Sequence, residues 1–296
     1  MKCQRCGKEA FVKLKAYNAA FCPGCFDLVF KRQVQKGIKD ESMFGYQDRV
    51  LVAVSGGKDS LTLWQVLWEL GYQTTGVHLK LNFGDFSEEE LRKTREFAQK
   101  RGLELLVVDL EAEVGVPVSL VAKANRRHIC SVCGSLKRYL LNKAAVEGGF
   151  SVLATGHGLD DEAARLLGNL LYWQERYLDK MYPSLPSTHP KLAKRVKPLF
   201  RVGTEEILTY ASLKEIDYVK LKCPFSSRAT SWAYKEFLEK LEGQLPGVRR
   251  NFYLGFLERE RKPVEDVGGE CEVCGYPSYS SPCNFCRLVG RAKALE

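Results

Sequence analysis

The chain has 296 residues, which is enough for one sizeable α/β domain with small modules attached. Lysine and arginine number 45 against 36 aspartate and glutamate, and the formal net charge of +9 favours a polyanionic partner without indicating a dedicated nucleic-acid coat. No apolar run reaches the ~18 residues that span a bilayer, and the motif that begins at Cys3 leaves no room for a secretory signal. We therefore expect a cytoplasmic protein without a membrane partner.

Eleven cysteines in such a chain favour metal sites or thiol chemistry over disulfides. Spacing sorts them into two quartets and a trio, namely Cys3, Cys6, Cys22 and Cys25; Cys271, Cys274, Cys283 and Cys286; and Cys130, Cys133 and Cys223. Each quartet consists of two Cys-x2-Cys knuckles, a pattern typical of tetrahedral thiolate zinc sites. We predict an N-terminal zinc finger over residues 1–30 and a C-terminal zinc ribbon over residues 263–296, both dependent on bound metal for folding.

A linking helix is predicted over residues 31–48 and a catalytic domain over residues 49–262. The domain begins with the apolar, β-branched run Val50–Val54, as expected of a parallel strand buried on both faces. From Leu61 onwards the apolar residues follow a helical period. The intervening loop therefore lies at a strand end and a helix start, where free N–H groups and the helix dipole attract an anion.

The residues of this loop suit a phosphate group. Gly56 and Gly57 allow the backbone to approach closely, while Lys58 supplies a cation and Ser60 a hydroxyl. Asp59 departs from the ordinary nucleoside-triphosphate loop, and its carboxylate is best explained by a bound Mg²⁺. The loop is therefore predicted to hold a metal-bound pyrophosphate rather than a γ-phosphate in transfer.

Strands and helices alternate through the rest of the domain. Further strands are predicted at residues 75–81, 103–110 and 151–155, and a capping box at Ser87–Glu90 is predicted to open one of the helices between them. Later helices are predicted at residues 205–213, 231–241 and 246–261. This alternation indicates an α/β fold with a doubly wound parallel sheet, Rossmann-like, with its ligand at the carboxyl ends of the strands.

The cysteine trio is the second chemical feature. Cys130 and Cys133 are predicted to precede a helix whose N-terminus, with nearby cations, stabilises their thiolates. Two thiols do not complete a zinc site, and Cys223, followed by a proline, is the natural third partner. Three cysteines can bind three irons of a cubane cluster and leave the fourth iron open. A redox disulfide between Cys130 and Cys133, or a persulfide passed to Cys223, remains as an alternative.

Two further stretches carry charge that suits phosphates. Gly156 and Asp161 stand at a second strand-to-helix corner of the same sheet edge, where a carboxylate can bind Mg²⁺ beside the phosphates. A helix dipole alone also favours an acid at that position. The densest basic stretch, residues 191–201, suits either RNA phosphates or a solvated loop.

Together these motifs resemble those of the two-zinc-finger tRNA thiolases, a family of the N-type ATP pyrophosphatase, or PP-loop, superfamily. The resemblance covers both cysteine quartets, the loop Ser55–Ser60, Cys130 to Cys133 with Lys137, the stretch Gly156–Ala163, and Cys223 with its proline. Gly158 stands where the family pattern has asparagine.

The resemblance implies that ATP adenylates the O2 oxygen of a tRNA pyrimidine and that sulfur then replaces it, releasing AMP and pyrophosphate. It implies catalytic roles for Cys130, Cys133, Cys223, Lys137, Asp161 and Asp59. It implies that ATP is bound by Ala53, Val54, Ser55, Gly56, Gly57, Lys58, Asp59, Ser60, Leu79, Gly156 and Asp161. The implied cofactors are Mg²⁺, two Zn²⁺ and one [4Fe-4S] cluster on Cys130, Cys133 and Cys223.

The implied partners are tRNA, a second copy of the chain, and a sulfur donor that is either a ubiquitin-like thiocarboxylate protein or free sulfide. Uridine 54 is the first expectation for the modified nucleotide, followed by wobble uridine 34 and cytidine 32. An ATP-dependent amide-forming ligase and a non-catalytic zinc-ribbon RNA-binding protein remain as alternatives. The ligase has no use for the cysteine trio, and the RNA-binding protein has no use for the phosphate loop.

Overall fold

The computed structural model describes residues 1–226, 231–262 and 268–295. Its strands are β1 (Val12–Leu14), β2 (Ala19–Phe21), β3 (Val50–Ala53), β4 (Thr74–Lys80), β5 (Leu105–Asp109), β6 (Val152–Thr155), β7 (Ser184–Leu185) and β8 (Lys194–Val196). Its helices are α1 (Pro23–Asp40), α2 (Lys58–Glu69), α3 (Asp85–Arg101), α4 (Leu110–Val114), α5 (Val118–Ala124), α6 (Ile129–Glu147), α7 (Leu159–Leu171), α8 (Glu175–Leu178), α9 (Thr204–Leu213), α10 (Ser231–Gln244), α11 (Val248–Leu257) and α12 (Asn284–Lys293). The predicted start of the ribbon at residue 263 lies outside the described residues.

A six-stranded sheet in the order β5-β4-β3-β6-β8-β7 forms the centre of the fold. All neighbouring strands are parallel except β7, which pairs antiparallel with β8 at the edge. In the central pair, Ala53 lies opposite Thr155, so β3 and β6 end at the same level. The predicted doubly wound sheet is confirmed, and the loops that follow β3 and β6 are neighbours at its carboxyl edge.

The side chains of the central strand β3 are buried because helices cover both faces of the sheet. Val50 and Val52 pack on one face in a cluster with α1, α2 and α7, whereas Leu51 packs on the other face in a cluster with α6. The helical period predicted from Leu61 is confirmed by α2, but the helix has no purely apolar and purely polar face, because Gln65 is buried and Trp68 is exposed. This helix is enclosed by the sheet and its neighbours along most of its length.

Two helix starts differ from the predictions. The capping box at Ser87 is wrong, because α3 begins at Asp85 after Gly84, and the Ser87 hydroxyl accepts a hydrogen bond from the Phe83 N–H (2.9 Å) inside the first turn. Helix α6 begins at Ile129, so Cys130 and Cys133 lie within its first turns rather than before it. The two thiols therefore project from a helix that starts at the carboxyl edge of the sheet.

Both cysteine-rich modules pack against the central domain. Helix α1 runs unbroken from the N-terminal module onto the domain, where the Phe30 ring stacks on Tyr210 with centroids 4.0 Å apart. At the other end, Phe285 stacks on Tyr139 of α6 at 3.7 Å, and the Asn125 amide donates to the Leu288 carbonyl at 2.9 Å. Among the described helices, none is long and apolar enough to cross a membrane.

Candidate active site at the carboxyl edge of the sheet

The phosphate loop connects β3 to α2. Gly56 has a φ of 74°, which favours glycine, and a Cβ there would lie 2.6 Å from the carbonyl oxygen of Glu90 on α3. Gly57 is the N-cap of α2, which begins at Lys58. The loop is therefore shaped by a close backbone approach and surrounded by the unpaired N–H groups of a helix start.

Hydroxyl groups hold the loop from inside. The Ser55 N–H donates to the Ser60 oxygen at 3.1 Å, and the Ser60 hydroxyl donates to the Gly57 carbonyl at 3.1 Å. The half-buried side chains of Lys58 and Asp59 form an ion pair at 2.6 Å. A cation and a carboxylate thus stand together at the predicted place for a metal-bound pyrophosphate.

The second predicted corner contacts the first turn of α2. A Cβ on Gly156 would lie 2.9 Å from the Asp59 carbonyl carbon and from the Ser60 nitrogen, so this position has room only for glycine. A Cβ on the nearby Gly158 already lies 3.0 Å from the Val202 carbonyl oxygen, which leaves little space for the asparagine of the family pattern.

Three other residues predicted to contact ATP lie on the strands. Ala53 is the last residue of β3, and Val54 is buried immediately after it. The Leu79 side chain, on β4, is buried in the apolar cluster that contains Leu110 and Val132. Leu79 can therefore contact a nucleotide only through its backbone atoms.

One loop connects the phosphate loop to the cysteine trio. The Val219 N–H donates to the Gly56 carbonyl at 2.9 Å, and the Cys130 thiol donates to the Phe225 carbonyl at 3.0 Å. Cys223 lies between these two attachments and is half-buried. The structure thus places Cys223, in the loop after α9, near Cys130 and Cys133 at the start of α6.

The trio lies in a partly buried, charged environment. Burial raises the pKa of the Cys133 thiol; the nearby Lys137 opposes this effect, and the charges of Cys223 and Cys130 add to it. Lys137 is a cation of the kind that the sequence analysis expected to stabilise the thiolate, but burial outweighs it, so the pKa of Cys133 is raised rather than lowered. The same electrostatic contacts show that Cys130, Cys133, Cys223 and Lys137 are close together.

Two buried groups beside Lys137 were not predicted as functional. Burial raises the pKa of the Glu90 carboxyl to about 7, while Lys137 acts in the opposite direction. His78 is almost completely buried, donates from Nδ1 to the Val54 carbonyl at 2.9 Å, and has a pKa lowered to about 4 by burial. The sequence interpretation assigned Glu90 to a helix cap, so its position behind the phosphate loop went unnoticed.

Asp161 lies in the first turn of α7 with both carboxylate oxygens engaged. One oxygen accepts from the Gly158 N–H at 3.1 Å, and the other pairs with the Lys235 ammonium. Burial by itself would raise the pKa of Asp161, but Lys235 outweighs burial and holds the pKa below its usual value. A metal at Asp161 must therefore compete with Lys235, a partner 74 residues away that no local pattern could indicate.

Each cysteine quartet forms a compact set of sulfur atoms. In both quartets all four Sγ atoms lie within 4.8 Å of one another, which suits one tetrahedral metal ion. Gly7, with a φ of 74°, makes the turn of the first knuckle, whereas Gly24 lies in the first turn of α1. Donor set and spacing both fit Zn²⁺ at each end of the chain.

Comparison with known proteins identifies the family of this chain. The profile of the PP-loop domain matches residues 26–223, and that of the 2-thiouridine synthetase TtuA N-terminal LIM domain matches residues 2–27. The tRNA-5-methyluridine(54) 2-sulfurtransferase of Thermotoga maritima is 44% identical, over 97% of this chain and 96% of its own length. This chain belongs to the PP-loop tRNA 2-sulfurtransferase family. The Thermus thermophilus protein of the same name is 46% identical over 97% of this chain and 91% of its own.

A solved family structure agrees in overall shape. The U34-tRNA thiolase NcsA from Methanococcus maripaludis, with its [4Fe-4S] cluster, matches with a TM-score of 0.81 and 27% identity, covering 97% of this chain and 95% of that chain. The predicted resemblance to the two-zinc-finger thiolases is confirmed. The predicted PP-loop fold with a cysteine-rich module at each end is confirmed as well.

Proposed function

We propose that this protein is an ATP-dependent tRNA sulfurtransferase that replaces the C2 oxygen of uridine 54 with sulfur. The observation that carries the proposal is the junction between the phosphate loop and the cysteine trio. A single loop donates to the Gly56 carbonyl through Val219 and accepts from the Cys130 thiol through Phe225. A phosphate site and a thiol cluster joined in this way suit one substrate atom that is first activated by ATP and then attacked by sulfur.

In the activating half, the uracil O2 forms a bond to the α-phosphorus of ATP while the bond from that phosphorus to pyrophosphate breaks. The N–H groups at the start of α2 and the Lys58 ammonium stabilise the charge that develops on the departing pyrophosphate. The carboxylate of Asp59 offers an oxygen ligand for Mg²⁺. The adenosine is proposed to lie along Ala53, Val54, Leu79 and Gly156.

In the second half, a sulfide-level sulfur forms a bond to C2, and the C2–O bond breaks so that AMP leaves with the original oxygen. No electrons are gained or lost in this exchange. The Lys137 ammonium, one turn after Cys133 on α6, is proposed to stabilise negative charge at the reacting centre. Asp161 is proposed to orient Lys235 or to accept a proton beside the same centre.

The cysteine trio fits a [4Fe-4S] cluster better than a single metal ion. Among the described residues, only the two quartets bring their sulfur atoms within 4.8 Å of one another, yet Cys133 is within electrostatic reach of both Cys130 and Cys223. Cysteines that bind different irons of a cubane need this wider spacing. When bound, the cluster supplies an open iron for the sulfur that is to be transferred.

The remaining components follow from the same family assignment. Two Zn²⁺ ions are proposed for the terminal quartets, and tRNA, a second copy of the chain, and a ubiquitin-like thiocarboxylate protein or free sulfide for the partners. All eleven cysteines are free thiols, which fits a reducing compartment such as the cytoplasm.

Uridine 54 is preferred because two relatives named for that position are 44% and 46% identical to this chain, whereas the U34 thiolase structure is 27% identical. Wobble uridine 34 is the second candidate and cytidine 32 the third. An amide-forming ligase is disfavoured because it leaves the cysteine trio without a role.

The test is thiolation with purified components. Protein with a reconstituted cluster is incubated anaerobically with ATP, sulfide and an unmodified tRNA transcript, and nucleosides and nucleotides are quantified. We expect 2-thiouridine and AMP in equal amounts, and we expect Lys58→Ala and Asp59→Ala to abolish both while zinc content is unchanged. Formation of ADP, or of AMP without thiolated tRNA, would contradict the proposal.

A further inference from the structure

Three arginines from different elements lie close enough to repel one another, and one of them, Arg165, also pairs with the Glu162 carboxylate at 3.3 Å. Arg138 on α6 is subject to repulsion from Arg195 on β8 and Arg165 on α7, and Arg165 also acts on Arg195. Among the residues that the structure describes, the Arg138 guanidinium donates only to the Ser135 hydroxyl of its own helix (3.3 Å). In the described parts of the chain, the Arg195 guanidinium has no hydrogen-bond or ion-pair partner. Such a group of guanidiniums favours binding of an anion, because a bound phosphate offsets the repulsion between the positive charges.

Exposed aromatic side chains stand beside these arginines. Tyr172 and Trp173 follow α7 and Tyr177 lies on α8, and these side chains are 69%, 79% and 59% exposed, respectively. Tyr172 and Tyr177 line one cavity together with Arg165, which joins the aromatic residues to the arginines in one surface. We call these six residues the arginine–aromatic surface. Large aromatic side chains grouped on a surface mark an interaction site more often than single ones do.

A cavity opens within this surface. It has a volume of about 430 Å³, within the ~300–1,000 Å³ typical of ligand sites. Its polar lining comes from Arg165, Asn169, Tyr172, Gln174, Tyr177, Lys180, Ser231 and Tyr234. Two of its lining residues are cations and none is acidic. Flat rings, amide groups and positive charge together suit a planar, polar group attached to a phosphate, which describes a nucleotide.

The surface is continuous with the candidate active site. Helix α7 begins beside Asp161 and ends one residue before Tyr172, a distance of about 17 Å at the helical rise per residue. Lys235, which pairs with Asp161, also lies over the Trp232 ring at 5.5 Å. A short run of unpaired nucleotides can span this distance.

We propose that the arginine–aromatic surface binds unpaired tRNA nucleotides next to the target uridine, with the arginines on phosphates and the rings stacked on bases. The proposal rests on the proposed function, because an enzyme that reacts at C2 must first take the base out of its stack. Unpaired RNA is recognised mainly by stacking on aromatic and arginine side chains. RNA is favoured over a second copy of the chain, because a symmetric contact here would bring the same arginines face to face.

The test measures binding of a labelled tRNA transcript by fluorescence anisotropy at several salt concentrations. We expect Trp173→Ala to weaken binding about fivefold or more through loss of stacking. Arg195→Ala is expected to reduce the slope of log affinity against log salt by about 0.7 to 0.9, the effect of one lost phosphate contact. In thiolation assays both variants should raise the KM for tRNA and leave kcat nearly unchanged.

Matched controls come from the opposite edge and face of the sheet. Lys194 precedes Arg195 on β8, but it donates to the Ser42 carbonyl, and its backbone N–H bonds to the Ser151 carbonyl at the amino end of the sheet. Tyr46 is an exposed ring just before β3, at that same amino edge. Lys194→Ala and Tyr46→Ala should therefore bind tRNA as the unaltered protein does. The basic stretch predicted around residues 191–201 is thus divided between two surfaces.

Each result decides between distinct conclusions. If the unaltered protein binds and thiolates tRNA but Trp173→Ala and Arg195→Ala behave like the controls, the surface proposal is overturned and the proposed function stands. If these variants change the oligomeric state and not the affinity for tRNA, the surface belongs to a second copy and the proposal is again overturned. If the unaltered protein binds no tRNA, the proposed function itself fails.

Discussion

Replacement of Lys197 by methionine is expected to destabilise the protein strongly. The Lys197 ammonium lies 2.5 Å from an oxygen of Glu162, a side chain with no exposed surface, and Lys197 is itself buried. Breaking a buried ion pair from one side costs about 3–5 kcal/mol, because the remaining charge stays buried. Arg165 reaches the other Glu162 oxygen at 3.3 Å and offsets part of this cost, so we expect about 3 kcal/mol.

The assay is denaturant unfolding of zinc-replete protein. The double variant Lys197→Met with Glu162→Gln removes both charges and should recover more than half of the loss. Lys194→Met changes a lysine three residues earlier that donates to the Ser42 carbonyl and forms no ion pair among the described residues, so it should cost less than about 1 kcal/mol. These comparisons separate the buried pair from a general effect of removing a lysine.

The opposite outcome would be equally informative. The sequence left open whether the basic stretch at residues 191–201 faces RNA phosphates or lies in a solvated loop. If Lys197→Met leaves the free energy of unfolding unchanged while tRNA affinity falls, the ammonium faces RNA and the buried pairing with Glu162 is wrong.

Three further changes test separate parts of the site. Cys223→Ala should abolish iron incorporation and the brown colour of reconstituted protein while both zinc ions remain; persistent colour would favour a sulfur relay. Gly156→Ala should weaken ATP binding at least tenfold, measured by calorimetry, because the new Cβ meets the backbone of Asp59 and Ser60; unchanged affinity would contradict the close approach. Burial raises the pKa of Glu90 to about 7, so between about pH 4.5 and 7 the Glu90 carboxyl is protonated in the native state but ionised in the unfolded state. The free energy of unfolding therefore falls as the pH rises through this range. In iron-free protein, Glu90→Gln should remove this dependence and be more stable at pH 8 by up to about 3 kcal/mol; equal pH curves would refute the shift.

The features that the sequence predicted best are local. The strand Val50–Val54, the glycines after it and the paired knuckles each depend on residues within a few positions of one another. Such patterns fix a phosphate loop and a metal site without knowledge of the rest of the fold. Cys223 was assigned to the trio by elimination, and the loop from Val219 to Phe225 supplies the physical reason for that assignment.

The features that the sequence did not predict are long-range charge pairs. Glu162 pairs with Lys197, just after β8, and Asp161 pairs with Lys235 on α10, and no periodicity in the sequence encodes such long-range pairs. Glu90 was mistaken for part of a capping box because its local pattern fits one, while the turn at Gly84 starts the helix earlier. Charge alone therefore misassigned Lys197 to a surface.

The central claim is that this one chain activates C2 of a tRNA uridine with ATP and replaces its oxygen with sulfur. Position-resolved mass spectrometry of tRNA nucleosides from a strain that lacks the gene tests it most directly. We predict that the 2-thiouridine derivative at position 54 disappears, and that it returns with the unaltered gene but not with Cys223→Ala. Loss confined to position 34 would overturn the position, and unchanged thiolated nucleosides at every position would contradict the sulfurtransferase itself.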